Sequence, residues 1–254
     1  MKKHLASFPY YTFGNLDRFG EIRHFVTSCC QGELTDVNLR SPLGAQNRQR
    51  LAQSVGFDID RLVTGEQTHS LNIAVVTEKE AGLGNLDIDS RIPCTDALIT
   101  NVKGICLMVL TADCVPVLLF DSKTQSVAAI HSGWRGTANG IVSLTVNKMK
   151  DVFGTNPADL AASVGPCIGT CCFEVGDDVA EQFTHLPEAI IRKTEWVRPH
   201  IDMARAIQMQ LLDSGVKNGN IEISGTCTKC NPQEFFSHRF NNTLGRIGTG
   251  ILIA

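Results

Sequence analysis

Cys114, His131 and His69 are the residues whose types and settings could carry chemistry. Thr111-Ala112-Asp113-Cys114 interrupts an apolar path between two short uncapped runs, Ile105–Leu110 and Val115–Phe120. A third run, Ser126–Ile130, delivers His131 into Ser132-Gly133-Trp134-Arg135-Gly136, and His69 sits in the polar turn Gly65-Glu66-Gln67-Thr68-His69-Ser70. Apolar runs this short, bounded by turn residues, read as buried strands. A thiol and two imidazoles therefore fall where rigid strands stop and loops leave side chains accessible. Two imidazoles and a thiolate suit Zn²⁺, and three protein ligands leave a fourth position open. Copper also favours such donors. A second reading of the same residues is a nucleophilic Cys114 with His131 or His69 as its base. Metal content separates these readings, because a zinc-bound thiolate is not a free nucleophile. Either histidine alone also suits a structural hydrogen-bonding role, and no local C-x-x-C or H-x-x-x-H joins the three.

Around this trio other side chains take candidate roles. The planar fork of Arg135 would bind a phosphate or carboxylate in pairs of oxygens. Trp134 would stack on substrate or cover the edge of the core. Asp113 and Gln67 would orient ligands from behind, or Asp113 would cap a turn; Gln67 is also a candidate for binding substrate, and His131, Asp113 and Glu174 are the candidate general acids. Cys167, Cys171, Cys172, Cys227 and Cys230 form a C-x-x-x-C and a C-x-x-C that could hold a four-thiolate zinc if their loops meet. Packing and turn roles are the alternative there, with Cys230 the least integrated.

The elements that must position these residues follow from the rest of the chain. Its 254 residues can bury a sizeable core, as one domain spanning 1–254. A net charge of −3 without a basic run argues against nucleic acid and anionic lipid as partners. There is no apolar stretch of about 18 residues for a membrane span, and the opening MKKHLASFPYYTFGN lacks the apolar core of a signal peptide. The chain therefore reads as cytoplasmic, its ten cysteines as reduced thiols, and Cys94 and Cys106 as small hydrophobes in or beside strands.

The segment to about Leu39 reads as strands and turns, with Ile22–Thr27 one of them. Spaced apolar positions predict helices over Ala45–Val55, from Ile141 to a Gly154 stop (with Leu144, Met149 and Val152 in the stripe), over Asp177–Phe183 and over Asp202–Ser214. Strands are predicted at Arg61–Thr64, Leu71–Thr77, Asp96–Thr100, Leu160–Val164, Ile221–Ser224, Glu234–Ser237 and Ile251–Ala254, with Ala81–Arg91 a surface loop. Strands in runs with helices between some of them predict an α+β fold, with mixed sheets and flanking helices. No G-x-G-x-x-G or P-loop motif occurs.

QTH at 67–69, TADC at 111–114, HSGWRG at 131–136, GPCIGTCCFEVG at 165–176, CT at 227–228 and FFSHR at 235–239 resemble the YfiH family. That family is also called the multicopper polyphenol oxidase, laccase-domain or peptidoglycan editing factor family. The resemblance runs from about Asn38 to Arg246. It implies the compact YfiH-like fold and a zinc held by His69, Cys114 and His131. It also implies phosphorolysis of adenosine, inosine and methylthioadenosine, with adenosine deamination; Arg239 of FFSHR joins the substrate-binding set. Editing of a peptidoglycan precursor is the hydrolase counterpart. The family's second arginine after FFSx is replaced here by Phe240, although Arg246 follows nearby. Seven histidines without an H-x-H are too few for four coppers, so polyphenol oxidation is not expected. Oligomeric state and the preferred nucleoside are not encoded in any of these motifs.

Overall fold

A computed structural model describes residues 1–29, 44–242 and 245–254. Twelve of the described strands build two sheets. They are β1 (Lys2–His4), β2 (Tyr10–Thr12), β3 (Ile22–Thr27), β4 (Leu62–Thr64), β5 (Ile73–Val75), β6 (Ala97–Thr100) and β7 (Cys106–Thr111). They continue as β8 (Val115–Asp121), β9 (Ser126–Ser132), β10 (Ala161–Val164), β11 (Ile221–Ile223) and β12 (Ile247–Ile253). The first sheet runs β1-β2-β3-β12-β7-β4 and the second β11-β10-β8-β9-β6-β5. Pairs β4/β7, β5/β6 and β10/β11 are parallel and their neighbours antiparallel, so both sheets are mixed, as predicted.

Side-chain alternation explains why the central runs are apolar throughout. Leu118 and Phe120 of β8 and Val127 and Ala129 of β9 point between the sheets, against Leu107 and Val109 of β7 and Ile251 and Ile253 of β12. Their neighbours Val117, Leu119, Ala128 and Ile130 face outward and pack on helices α3 (Ile141–Phe153) and α4 (Met203–Asp213). Beyond the first sheet, Phe25, Cys106, Met108 and Leu252 meet Leu51 of α1 (Gly44–Val55). The order of layers is helix, sheet, sheet, helices. A strand covered on both faces shows no polar alternation. At about 25 cal/mol per Å² of apolar surface, these three interfaces are the main stabilising term of the fold.

Some boundaries differ from the sequence expectation. Residues 234–237 form a turn rather than a strand. Phe235 and Ser237 are both buried, which mimics strand alternation, but Ser237 instead caps the short helix α5 (His238–Asn241) by accepting from the Phe240 N–H at 3.2 Å. In α3 the buried positions are Ile141, Val142, Thr145, Val146 and Met149, while Leu144 and Val152 are exposed. Cys106 is buried within β7, whereas Cys94 is exposed. The last part of the opening segment, 30–39, lies outside the described residues. Among the described residues no helix is long and apolar enough to cross a membrane.

Candidate metal centre

The chain passes from the first sheet to the second at Thr111-Ala112-Asp113-Cys114, because β7 belongs to one and β8 to the other. Asp113 makes the reversal with φ of 85°, a left-handed value uncommon outside glycine. Thr228 Oγ1 donates to its Oδ1 at 2.6 Å and the Arg239 N–H to its Oδ2 at 2.7 Å. The carboxylate is thus an anchor for the crossover and for the 228–239 segment. It bonds to neither histidine, so of the two roles the sequence left open the anchoring of a turn is the one these contacts show.

The task of orienting a histidine falls to Asp96, which sequence reasoning missed. Asp96 immediately precedes β6, whose Ala97 lies opposite Ile130 of β9, and so its carboxylate sits beside His131. His131 Nδ1–H donates to Asp96 Oδ1 at 2.7 Å, leaving Nε2 as the nitrogen for a ligand. The same carboxylate accepts the N–H groups of Thr68, His69 and Ser70 at 3.2, 3.1 and 2.7 Å, and the Ser70 hydroxyl at 2.7 Å. One buried side chain therefore sets the ring of His131 and the turn that carries His69, whose own φ is 61°. Gln67 secures the other end of that turn. Its Nε2 donates to the Leu110 carbonyl at 2.6 Å and its Oε1 accepts the Leu110 N–H at 2.8 Å. Gln67 thereby holds the turn against β7 while forming part of the cavity wall.

His69, Cys114 and His131 present donor atoms that all lie within 4.8 Å of one another, with Cys114 Sγ 3.8 Å from His69 Nε2. A tetrahedral ion with Zn–S and Zn–N of about 2.3 and 2.0 Å would separate such a pair by about 3.5 Å. Gly133 keeps the space open. A Cβ there would stand 2.4 Å from His69 Cδ2 and 3.4 Å from Cys114 Sγ. Its φ of −71° suits any residue, so glycine is required for room and not for conformation. The donor set and the space both fit a zinc ion.

Electrostatics prepare these donors. Burial opposes the Cys114 thiolate, but His131 and His69 together pull the thiol down to about 6. Burial likewise opposes charge on His131, yet Cys114 and Asp96 raise it to about 9. Burial would raise Asp96, and the hydrogen bonds from His131 and Ser70 outweigh it, holding the carboxyl at about 2. A deprotonated thiol is the form a metal needs. In metal-stripped protein, alkylation of Cys114 by iodoacetamide should follow a titration centred near pH 6 and stay fast across neutral pH. A midpoint near 9, where an ordinary thiol titrates, would show that the imidazoles do not act on the sulfur.

The trio opens into a cavity of about 490 Å³ whose wall includes Arg91, Ile168, Phe173, Arg239 and Arg246. The Arg239 guanidinium lies 5.5 Å over the Phe173 ring and donates to the Glu174 carbonyl at 3.3 Å. Arg135 and Trp134 stand elsewhere. Helix α2 (Trp134–Ala138) begins directly after Gly133 and carries both outside the cavity wall, with the exposed Arg135 guanidinium 4.2 Å over the indole. Glu174 also lies outside the wall and sits 4.0 Å from His200.

Residues 41–254 match the family described as multi-copper polyphenol oxidoreductase laccase. The chain belongs to this family. Purine nucleoside phosphorylase of Bacteroides thetaiotaomicron is 36% identical over 95% of each chain. Adenosine deaminase RL5, from an unknown prokaryotic organism, is 38% identical over 80% of this chain and 79% of its own. The crystal structure of Bacillus licheniformis hypothetical protein YfiH matches with a TM-score of 0.88 at 30% identity, covering 94% of this chain and 95% of that one. The family implies a metal. Among the described residues, the groups of three or more candidate donors are this trio and a cluster of four cysteines. Neither group offers the many imidazoles of a four-copper centre.

Proposed function

We propose that the chain is a zinc-dependent purine nucleoside enzyme, cleaving adenosine, inosine and methylthioadenosine with phosphate and deaminating adenosine. The observation that carries this reading is the His69–Cys114–His131 donor set in the wall of a cavity that is also lined by Arg91, Arg239 and Arg246. The relatives described above, a purine nucleoside phosphorylase and an adenosine deaminase, support it. A zinc ion held by the trio would supply Lewis acidity at the reacting centre.

The protein's own side chains supply the rest. Asp96 keeps the proton on His131 Nδ1, so that Nε2 stays a ligand. Ile168 and Phe173 give the cavity the apolar surface on which a purine rests. Arg239, braced over Phe173, faces phosphate with a planar pair of donors. In phosphorolysis a phosphate oxygen bonds to C1′ while the bond from C1′ to the purine nitrogen breaks and the base leaves. In deamination water displaces the amino group at C6 and ammonia leaves.

Product analysis with adenosine, with and without phosphate, tests the reading. Adenine with ribose 1-phosphate reports phosphorolysis, and inosine reports deamination. Arg239→Lys retains the backbone N–H on Asp113 and loses the fork, so the phosphate KM should rise at least about tenfold with zinc content unchanged. Arg135→Lys should leave that KM near the wild-type value. The reverse pattern would move the phosphate site to Arg135, and no turnover by zinc-loaded protein would remove the reading itself. The lowered Cys114 thiol and its imidazole neighbour at 3.8 Å also favour a second reading, a cysteine hydrolase.

A further inference from the structure

Away from the catalytic trio, a second group of donors gathers where two irregular segments meet. Cys167 and Cys227 pair their backbones as a short parallel bridge: the Cys167 N–H donates to the Thr226 carbonyl at 3.3 Å and the Thr228 N–H to the Cys167 carbonyl at 2.9 Å. This pairing brings the GPCIGTCC and CTKC stretches together. Four sulfurs, those of Cys171, Cys172, Cys227 and Cys230, then lie within 4.8 Å of one another. Cys230 Sγ is 3.6 Å from that of Cys171 and 3.5 Å from that of Cys172. Cys167 contributes backbone alone. Its side chain is buried, and burial drives its thiol far above the ordinary range, so it stays protonated. The cluster therefore uses Cys172 where the C-x-x-x-C spacing pointed to Cys167, and Cys230 is a full member.

We propose that these four cysteines form a structural zinc site, separate from the catalytic centre. Four sulfurs at about 2.3 Å from a tetrahedral ion stand about 3.8 Å apart. The separations from Cys230, 3.6 and 3.5 Å, lie 0.2–0.3 Å below that value, whereas a disulfide would need about 2.05 Å. Backbone donors also face the sulfurs: the Gly169 N–H reaches Cys227 Sγ at 3.2 Å. Gly169 has little alternative, since a Cβ there would lie 3.0 Å from Cys227 Cβ and 3.4 Å from the sulfurs of Cys171 and Cys227. Such donors stabilise thiolate charge. All four ligands come from protein, so the site is closed to substrate and its role is to fasten chain segments.

The segments it fastens matter to the cavity. Cys172 precedes Phe173 of the cavity wall, and Cys227 precedes Thr228, the donor to Asp113. The ion would thus hold together a cavity wall and the anchor of the crossover loop.

Metal analysis tests this independently of turnover. Protein grown with added zinc and purified under a thiol reductant should carry about two zinc ions per chain. Cys114→Ala should keep about one, and its X-ray absorption fine structure should show only sulfur, at about 2.3 Å. Combining Cys114→Ala with Cys230→Ser should release that ion. Where the double variant fails to fold, mercurial titration of the Cys114→Ala protein decides, with zinc release complete only as the thiols of the cluster are consumed. Zinc-free Cys114→Ala, a shell containing nitrogen or oxygen, or a mass 2 Da below the reduced chain from a disulfide in the cluster would each overturn the proposal.

Discussion

Cys114→Ala should yield a folded protein that has lost zinc from the catalytic trio and, with it, nearly all nucleoside turnover. Removing a metal that supplies several kcal/mol of transition-state stabilisation costs on the order of a thousandfold or more in rate. Folding should survive, because strand register and the hydrogen bonds to Asp96 gather the ligands without the ion. A small zinc finger, whose folding energy is metal binding, behaves in the opposite way. Cys114→Ser should resemble Cys114→Ala, a hydroxyl being a far poorer ligand than a thiolate. His69→Ala then separates the two chemistries that the trio permits. Loss of one ligand in three weakens the metal site severely, but a cysteine nucleophile with His131 as base could tolerate it. A His69→Ala protein without zinc at this centre and with full turnover would falsify the metal-centred mechanism and leave Cys114 as the nucleophile. Circular dichroism and metal content, measured beside rate, distinguish all these outcomes.

Asp96→Asn should be the most damaging substitution that touches no ligand atom directly. The carboxylate accepts from three backbone N–H groups, a hydroxyl and the His131 ring, and it is buried. Asparagine keeps the size but offers one acceptor oxygen, and its NH₂ must face donors. Breaking such a buried arrangement costs about 3–5 kcal/mol. Zinc affinity should fall about 10–100-fold as His131 loses its fixed tautomer. Urea unfolding at constant m-value and chelator competition measure the two effects. Unchanged values for both would mean that the 65–70 turn and His131 are held by other contacts.

The elements and the trio were legible in the sequence because their signals are local. Val115–Phe120 and residues 127–130 are apolar over their full length, and strands covered on both faces have to be. Cys114, His131 and His69 stand at strand ends in polar turns, a pattern visible without any pairing. Asp96 left no such trace, since its importance comes from lying beside β9 and beneath the 65–70 turn, and both depend on which strands pair. Arg135 is a related case. Its neighbours in sequence are site residues, yet α2 starts at Trp134 and turns the arginine away. The arginines that do line the cavity come from distant segments, at positions 91, 239 and 246. Phe235 and Ser237 show the converse error, in which alternating burial arises without a ladder.

The passage of the chain from one sheet to the other at residues 111–114 also bears on kinetics. The trio draws on a turn beside the first sheet, on the crossover itself and on a strand of the second, with a sequence separation of 45 from His69 to Cys114. Contacts of such sequence separation form slowly, because loop closure must precede them. Local collapse or either sheet alone leaves at least one donor out of reach. An ion bound by the trio would therefore be captured only once the two sheets have docked, and a metal-sensitive probe during refolding would read that event apart from the formation of either sheet.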